Sequence, residues 1–458
     1  MEKVVRQLPR LRVLNLHKCP KSNRILVLSL PCVSKLFVEE CDEIVLKSVI
    51  DLTSLTSLKI KRVRGLCILS EEVVQFLVAL EIVEFKKCDQ LLTPWENGLT
   101  LGKEDTLLLL PFCKLKSLKI RECANLEKLP NGLNNLKSLK RLDVIGCSKL
   151  VRFLENGLPP FLSWLKLEDC KGLRWCPTDT FPTTLKYIYI INSMELEWVS
   201  ETMVHDEKSS SSRNGMSSLE TISMINWPNM GRLVGCVKHF ANLLRLYIWN
   251  CDSLECFPER GGLSSIPLTT LRICKCVNLR SLPPFDQIQS LAYLYLDGCP
   301  NLELFGNGKR NGNLPPQLVT ITVDGDYGKP SLSEWGLHKH SASIVDFRRW
   351  FAFLMKRCVC FLQSLTELFI WNLSNVECIS SKGFRNPTSL QHLDFYHCSK
   401  LPSLPMDVLA STLQSLKIEN CPNLKEGCKK EREDYWPMIA DIPCVEIDVP
   451  FNIDEFIS

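Results

Sequence analysis

An α/β repeat solenoid, built from short parallel strands stacked side by side, is the fold class the sequence predicts, and three observations predict it. From Leu115 to Leu150 one phrase occurs twice: Leu115-x-x-Leu118-x-Ile120-x-x-Cys123 returns 24 residues later as Leu139-x-x-Leu142-x-Val144-x-x-Cys147. Each copy is followed by a Cys-x-x-Leu step and then a turn. Within each copy the apolar residues alternate, so Leu118 and Ile120, or Leu142 and Val144, share one face of an extended segment too short to bury that face alone. Stacking at least about three copies in parallel closes the core.

Such a phrase is a leucine-rich repeat. The predicted architecture is a horseshoe with parallel β-strands on its concave side and short irregular or 3-10 segments on its convex side. The first leucine-type position of each copy falls at Leu11, Val33, Leu55, Leu80, Leu115, Leu139, Leu162, Leu185, Leu219, Leu243, Leu268, Leu291, Leu318, Leu365, Leu390 and Leu413, sixteen in all. Most steps are 22 to 27 residues, too short for a long helix in every repeat. At about 4.8 Å between strands, sixteen copies lay out roughly 75 Å of ladder. The ninth position is where the chain leaves the strand and its backbone groups need partners inside the coil. Asn fills it most often in such repeats and Cys is the usual substitute.

That slot decides how the 23 cysteines are read. Eleven of them occupy it: Cys19, Cys41, Cys88, Cys123, Cys147, Cys170, Cys251, Cys276, Cys299, Cys398 and Cys421. They are expected to be buried free thiols rather than a disulfide scaffold. No Cys-x-x-Cys occurs, and only Cys274-x-Cys276 and Cys358-x-Cys360 come closer, so zinc is a poor reading. The N-terminus runs into a repeat without the apolar stretch of a secretion signal. The densest apolar patch, Leu107 to Leu110, stops at Pro111, far short of a membrane span. Asn372-Leu-Ser374 is the one glycosylation pattern. A reducing, cytoplasmic compartment is the expectation. With 55 basic and 51 acidic residues, the net charge of +4 gives no argument for nucleic acid.

Three steps are too long: 35 residues from Leu80, 34 from Leu185 and 47 from Leu318. The surplus is assigned to insertions near 93–110, 201–215 and 326–361, the second of them Ser-rich and charged. In the third, SIVDFRRWFAFLMKRCVCFL fits an amphipathic helix packed on its own repeat, with membrane contact or partner binding as the alternative. A degraded further copy near Trp335-Gly-Leu-His338 leaves the register there open. The repeats span 1–425, and 426–458 reads as a C-terminal cap: a charged helical segment with Trp436-Pro437, then a last short strand within Ile442 to Val449. The N-terminus has no such cap and opens mid-solenoid, as the inside of a larger protein would.

The Cys-x-x-Leu-x-x-Leu-Pro continuation appears as Cys123-ANLEKLP, Cys251-DSLECFP, Cys276-VNLRSLP and Cys299-PNLELF, and residues 421–447 read CPNLKEGCKKEREDYWPMIADIPCVEI. Together with the irregular repeats, these resemble the leucine-rich-repeat region of plant intracellular coiled-coil, nucleotide-binding disease resistance proteins. The resemblance covers nearly the whole chain. It implies a scaffold in innate immunity that senses a pathogen effector, or a host protein the effector alters, and restrains a nucleotide-binding switch. The switch's phosphate loop has no counterpart here: Gly102-Lys103 and Gly328-Lys329 lack the upstream glycine and the Ser/Thr. The nucleotide-binding domain is therefore expected as a partner, in cis or in trans.

Catalysis is not expected. No Gly-x-Ser-x-Gly elbow and no His-Glu-x-x-His occurs, and His338-x-His340 reads as a solvated loop pair, so neither cofactor nor metal is assigned. The concave face carries more information. The third, fifth and seventh positions of each copy point away from the core. They begin basic, with Lys59, Lys61, Lys119 and Arg121 as candidate contacts for the switch domain. Then aromatics take over, at Trp164, Tyr187, Tyr189, Tyr247, Trp249, Tyr293, Tyr295, Phe369, Trp371 and Tyr396. Strand propensity favours Tyr, but the buried strand positions hold Leu, Ile and Val, so propensity does not explain the side chosen. Tyr and Trp with scattered Arg is the composition of a protein-binding surface. Acidic residues interleave at Glu84, Asp143, Glu168, Asp297, Asp324, Glu367, Asp394 and Glu419, which argues against tracking a phosphate backbone. A substrate adaptor of a ubiquitin ligase is the alternative within the same repeat class, but its F-box and regular helix-forming segments are not seen.

Overall fold

Every leucine marker is followed, two residues on, by a strand. The computed structural model describes residues 5–19, 27–95, 111–130, 132–151, 153, 157–173, 182–193, 218–227, 240–257, 266–302, 315, 317–324, 344–347, 367–371, 390–399, 401, 413–427, 439 and 441–448. The chain forms two compact units, Met1–Leu243 and Leu244–Ser458. Each is a parallel-strand β-solenoid of the leucine-rich-repeat type, with few helices.

In the first unit the strands are β1 (Val5–Gln7), β2 (Val13–His17), β3 (Val27–Ser29), β4 (Lys35–Glu39), β5 (Val49–Ile50), β6 (Ser57–Lys61), β7 (Ile82–Lys86), β8 (Ser117–Arg121), β9 (Arg141–Ile145), β10 (Trp164–Glu168), β11 (Tyr187–Ile191) and β12 (Thr221–Ile225). Nine of them make one parallel ladder in the order β2-β4-β6-β7-β8-β9-β10-β11-β12. Leu118, Leu142, Leu165, Ile188 and Ile222 lie on one register row of this ladder, all shut off from solvent. The second unit repeats the plan with β13 (Arg245–Trp249), β14 (Thr270–Cys274), β15 (Tyr293–Asp297), β16 (Thr320–Asp324), β17 (Ile344–Phe347), β18 (Glu367–Trp371), β19 (His392–Tyr396), β20 (Ser415–Glu419) and β21 (Cys444–Ile447), each pairing in parallel with the next.

A turn closes each end of the repeated phrase. Before the strand, the leucine marker donates its N–H three residues back, as Leu139 does to the carbonyl of Leu136 and Leu291 to that of Ile288. After it, the Cys-x-x-Leu step closes in the same way, Leu126 onto Cys123 and Leu279 onto Cys276. Directly after the strand the chain passes through the left-handed region: Lys18, Glu40, Arg62, Lys87, Glu122, Asp169, Asn192, Asn226, Asn250, Lys275, His397, Asn420 and Asp448 all have φ between 51° and 56°. Gly146 and Gly298 hold the same slot at 67° and 62°. Such a conformation costs an L-residue about 1 kcal/mol or more. It aims the residue's N–H at the next strand, where Asp169 meets the carbonyl of Ile191 at 2.9 Å and Lys275 that of Asp297 at 2.7 Å.

The ninth-position cysteines are free, and ten of the eleven are buried. Their thiols donate into the coil, as Cys147 does to the carbonyl of Ile145 at 3.5 Å and Cys170 to that of Val144 at 3.7 Å. Burial pushes the Cys147 thiol up to about 12 and the Cys170 thiol up to about 11, so both stay neutral. Cys19 differs: it is half-exposed, because its strand β2 has β4 as its one neighbour in the described ladder.

Besides the ladder, β1, β3 and β5 form a small parallel sheet of their own, and Ser29 donates to Asp51 Oδ2 at 2.6 Å beside it. Two sequence expectations are corrected here. The insertion placed at 93–110 begins inside the fold. Thr93 and Trp95 are buried, and Trp95 stacks on Phe112 at 4.2 Å. The helix expected over the basic, aromatic stretch of 326–361 gives way at its start to β17, where the short alternation Ile344-Val345-Asp346-Phe347 takes a full rung between β16 and β18. At the C-terminal end, α1 (Pro422–Gly427) follows Cys421 directly, and the last strand falls at Cys444–Ile447 on β20. Residues 96–110 and 201–215 and the Trp436-Pro437 pair lie outside the described residues.

Mass-mapped iodoacetamide labelling of the native chain is expected to modify the exposed Cys32, Cys67, Cys256 and Cys444 first. Cys123, Cys147 and Cys170 should stay unmodified until denaturant is added; native labelling of this trio at the rate of Cys256 would contradict the packing described.

Candidate protein-binding face

The outward slots of β6 to β10 form a ladder of opposite charges. In the middle row Lys59, Glu84, Lys119, Asp143 and Lys166 lie on successive rungs. Ion pairs stitch successive rungs together: Lys59 to Glu84 at 3.8 Å, Lys61 to Glu39 at 2.5 Å, Arg121 to Glu84 and to Asp143 at 3.8 Å each. Asp143 is fully buried and accepts from Arg141 Nε on both carboxylate oxygens, at 3.1 and 3.0 Å. The hydrogen bond from Lys61 holds the Glu39 carboxyl below its usual range. Period-two alternation placed Lys59, Lys61, Lys119 and Arg121 on the correct face. It did not reveal that three of the four are neutralised from the next rung, and among the described residues only Lys119 of this set has no ion pair.

Next along the first unit stands an aromatic stack. The Arg141 guanidinium sits 4.3 Å above the Trp164 ring, Tyr189 stacks against Trp164 at 4.6 Å, and Tyr187 leans on it at 5.4 Å. These rings are half-buried. The Trp164 indole N–H is shielded from solvent and has no acceptor, while the Tyr187 hydroxyl reaches Glu220 Oε2 at 3.4 Å.

The second unit carries its own aromatic cluster on β13 to β15. Tyr247, Arg272 and Tyr295 share the middle row, with Trp249 one slot over. The Arg272 guanidinium lies 5.6 Å from both the Trp249 and the Tyr295 ring, and the Lys275 ammonium 5.6 Å from Trp249. Tyr293 is the most open of these aromatics, at 40% exposure. Sequence reading of the aromatic slots passed over Arg272. Its signal was the fifth position of the copy starting at Leu268, which falls between Tyr247 and Tyr295 once the copies are aligned.

Two residues expected to present exposed rings do not. Phe369 is 8% exposed and Tyr396 only 2%. The Tyr396 hydroxyl donates to Asp394 Oδ2 at 3.1 Å, and the Lys417 ammonium lies 5.8 Å from its ring. Alternation says which side of a strand a ring takes, while neighbouring rungs decide how far it is covered. Burial pushes the Asp394 carboxyl up to about 6, against the pull of Tyr396, Lys417 and His392. Trp371 holds the last position of β18, and its side chain lies outside the described residues. Among the described residues no three His, Cys, Asp or Glu side chains converge as a metal site, and no helix is long and apolar enough to cross a membrane.

No family model matches the chain. It is 29% identical over 311 residues to the protein SUPPRESSOR OF npr1-1, CONSTITUTIVE 1 of Arabidopsis thaliana, a match covering 62% of this chain and 18% of that one. It is also 29% identical over 259 residues to the disease resistance protein RPP4 of the same plant, covering 50% of this chain and 22% of the other. Its homologues are plant disease resistance proteins. The chain spans about a fifth of the length of the curated relatives it matches. Among solved structures, a leucine-rich-repeat protein of Leptospira interrogans aligns over 92% of this chain and 90% of that one, at 15% identity and a TM-score of 0.43.

Because the folded-state carboxyl of Asp394 titrates near 6 rather than at 3.8, the folded chain holds this proton more tightly than the unfolded one. Stability from this group is therefore greatest below about pH 4 and falls as pH rises through about 6, by at most about 3 kcal/mol. Asp394→Asn is expected to raise the denaturant midpoint at pH 7 and to remove this decline between pH 4 and 6. Parallel pH profiles for variant and wild type would contradict the burial of that carboxylate.

Proposed function

We propose that this chain is the recognition region of a plant immune receptor, or a truncated relative of one, and that it works by binding protein rather than by catalysis. The partner is a pathogen effector or a host protein that an effector alters. The observation carrying this reading is the half-exposed cluster of Tyr247, Trp249 and Tyr295, an outward aromatic surface in a chain whose homologues are disease resistance proteins. Rigid aromatic rings beside arginine supply large contact area at small entropic cost, the usual composition of binding hot spots. The aromatic stack around Trp164 in the first unit is a second contact for the same kind of partner. Phe369 and Tyr396, being covered, take no direct part.

The basic rungs of the first unit contact the nucleotide-binding domain, in cis in a longer receptor or in trans on a separate one. The ion pairs described above concentrate this role on Lys119, since a cation already matched by a carboxylate on its own ladder adds little to a second one. The defence setting and protein binding make cytoplasmic residence the matching location.

Triple substitution of Tyr247, Trp249 and Tyr295 by Ala is expected to weaken capture of a cognate effector about 100-fold in a quantitative pull-down, with the circular dichroism spectrum unchanged. Undiminished capture would remove the aromatic surface from the binding role. For the switch contact, Lys119→Glu alone should give most of the loss seen when Lys59, Lys61, Lys119 and Arg121 are all reversed, with binding to the nucleotide-binding domain of a related resistance protein as the readout. Equal contributions from all four positions would refute the special place of Lys119.

A further inference from the structure

The two units treat their outward arginines differently. In the first, Arg121 and Arg141 are matched by Asp143, and Lys59, Lys61 and Lys166 each have a carboxylate within 4 Å. In the second, among the described residues, no carboxylate pairs with Arg245, Arg272 or Lys275, which sit on two adjacent rungs. Arg272 is held over two rings instead, beside the Cys274 thiol, and its Nε–H, like that of Arg121, is shielded from water with no hydrogen-bond acceptor. A shielded guanidinium donor without an acceptor carries a desolvation cost that the rings only partly offset. A bound anion would remove that cost, because carboxylates accept from guanidinium forks with charge-assisted strength. Arg245, at the first outward slot of β13, is exposed, and Lys275 just beyond β14 is exposed as well. Cations therefore flank the aromatic cluster on both sides of the row.

We propose that the face formed by β13, β14 and β15 binds a peptide segment in which carboxylates are interspersed with apolar or aromatic residues. Arg272 and Arg245 take the carboxylates, and Tyr247, Trp249 and Tyr295 take the apolar side chains. This assignment rests on the reading that the second unit's outward face binds protein, and it names the chemistry of what is bound. A single-stranded nucleic acid fits less well. Stacking surfaces for bases need a basic groove that continues along the backbone, whereas here the cations stop after two rungs, with Asp297 on the seventh slot of β15 and Glu367 at the start of β18.

The test is selection of a random dodecapeptide library displayed on phage against the full 458-residue chain, followed by affinity measurement on the winning peptides. Enrichment of Asp and Glu next to apolar residues is expected, with affinity for those peptides falling about 10-fold per arginine in Arg245→Gln and Arg272→Gln, while Lys137→Gln, at an exposed lysine of the first unit, changes nothing. Arg245 is exposed, so Arg245→Gln keeps the fold and carries the test alone if Arg272→Gln lowers the thermal midpoint. Selected peptides without acidic enrichment, or with affinities unmoved by both arginine variants, would overturn the carboxylate assignment and leave the protein-binding reading standing. Tighter binding of a twelve-nucleotide oligouridylate than of any selected peptide would overturn it in favour of nucleic acid. If no peptide is enriched at all, both the assignment and the protein-binding reading of this face fall.

Discussion

The parallel backbone ladder is the constraint on which everything else in this chain depends. A strand of five residues offers two side chains to a core and cannot hold itself together, so each rung needs the rung before it and the rung after it. The repeated phrase serves that need at every step. Its leucines fill the interior, and its turns bring the chain back after one coil. A left-handed residue then carries the hydrogen bonding one step past the strand, and the thiol that follows satisfies carbonyls that water cannot reach. The local strain at Lys87 or Glu122 is offset because each of those residues joins two coils.

The ladder also governs the chemistry of the outward face. Residues some 23 positions apart in sequence become neighbours about 4.8 Å apart, so an outward slot is defined by what occupies the same slot one coil away. Lys119 between Glu84 and Asp143 stands in a row of alternating charge, whereas Arg272 between Tyr247 and Tyr295 is sandwiched among rings. At that same position of the phrase Lys59 is matched by Glu84 on the next rung, while Arg272 has no carboxylate partner among the described residues. Local composition alone does not distinguish them.

This is why the core was more legible than the face. Sixteen strand positions follow from the leucine markers, since a period of two and a period near 23 are both written directly in the residue order. The burial of Cys123, Cys147 and Cys170 follows from their slot. Ile344–Phe347 escaped because it has no leucine marker and sits among basic and aromatic residues that mimic a helical stripe. The small sheet of β1, β3 and β5 escaped because three-residue and two-residue strands leave no readable alternation. On the outward side, the identity of each slot was legible but its exposure was not: Tyr396 and Tyr293 share the same sequence logic, and one is sealed while the other is open.

The left-handed residue that follows a ladder strand bears on how such a chain changes over generations. Because the described coils leave their strands through the same backbone conformation and hand their hydrogen bonds to the next in the same way, they are interchangeable parts. Duplicating or deleting one whole coil preserves every joint. It moves the downstream slots by a single step, so a solenoid of this kind can present a new arrangement of its outward groups without redesigning its interior.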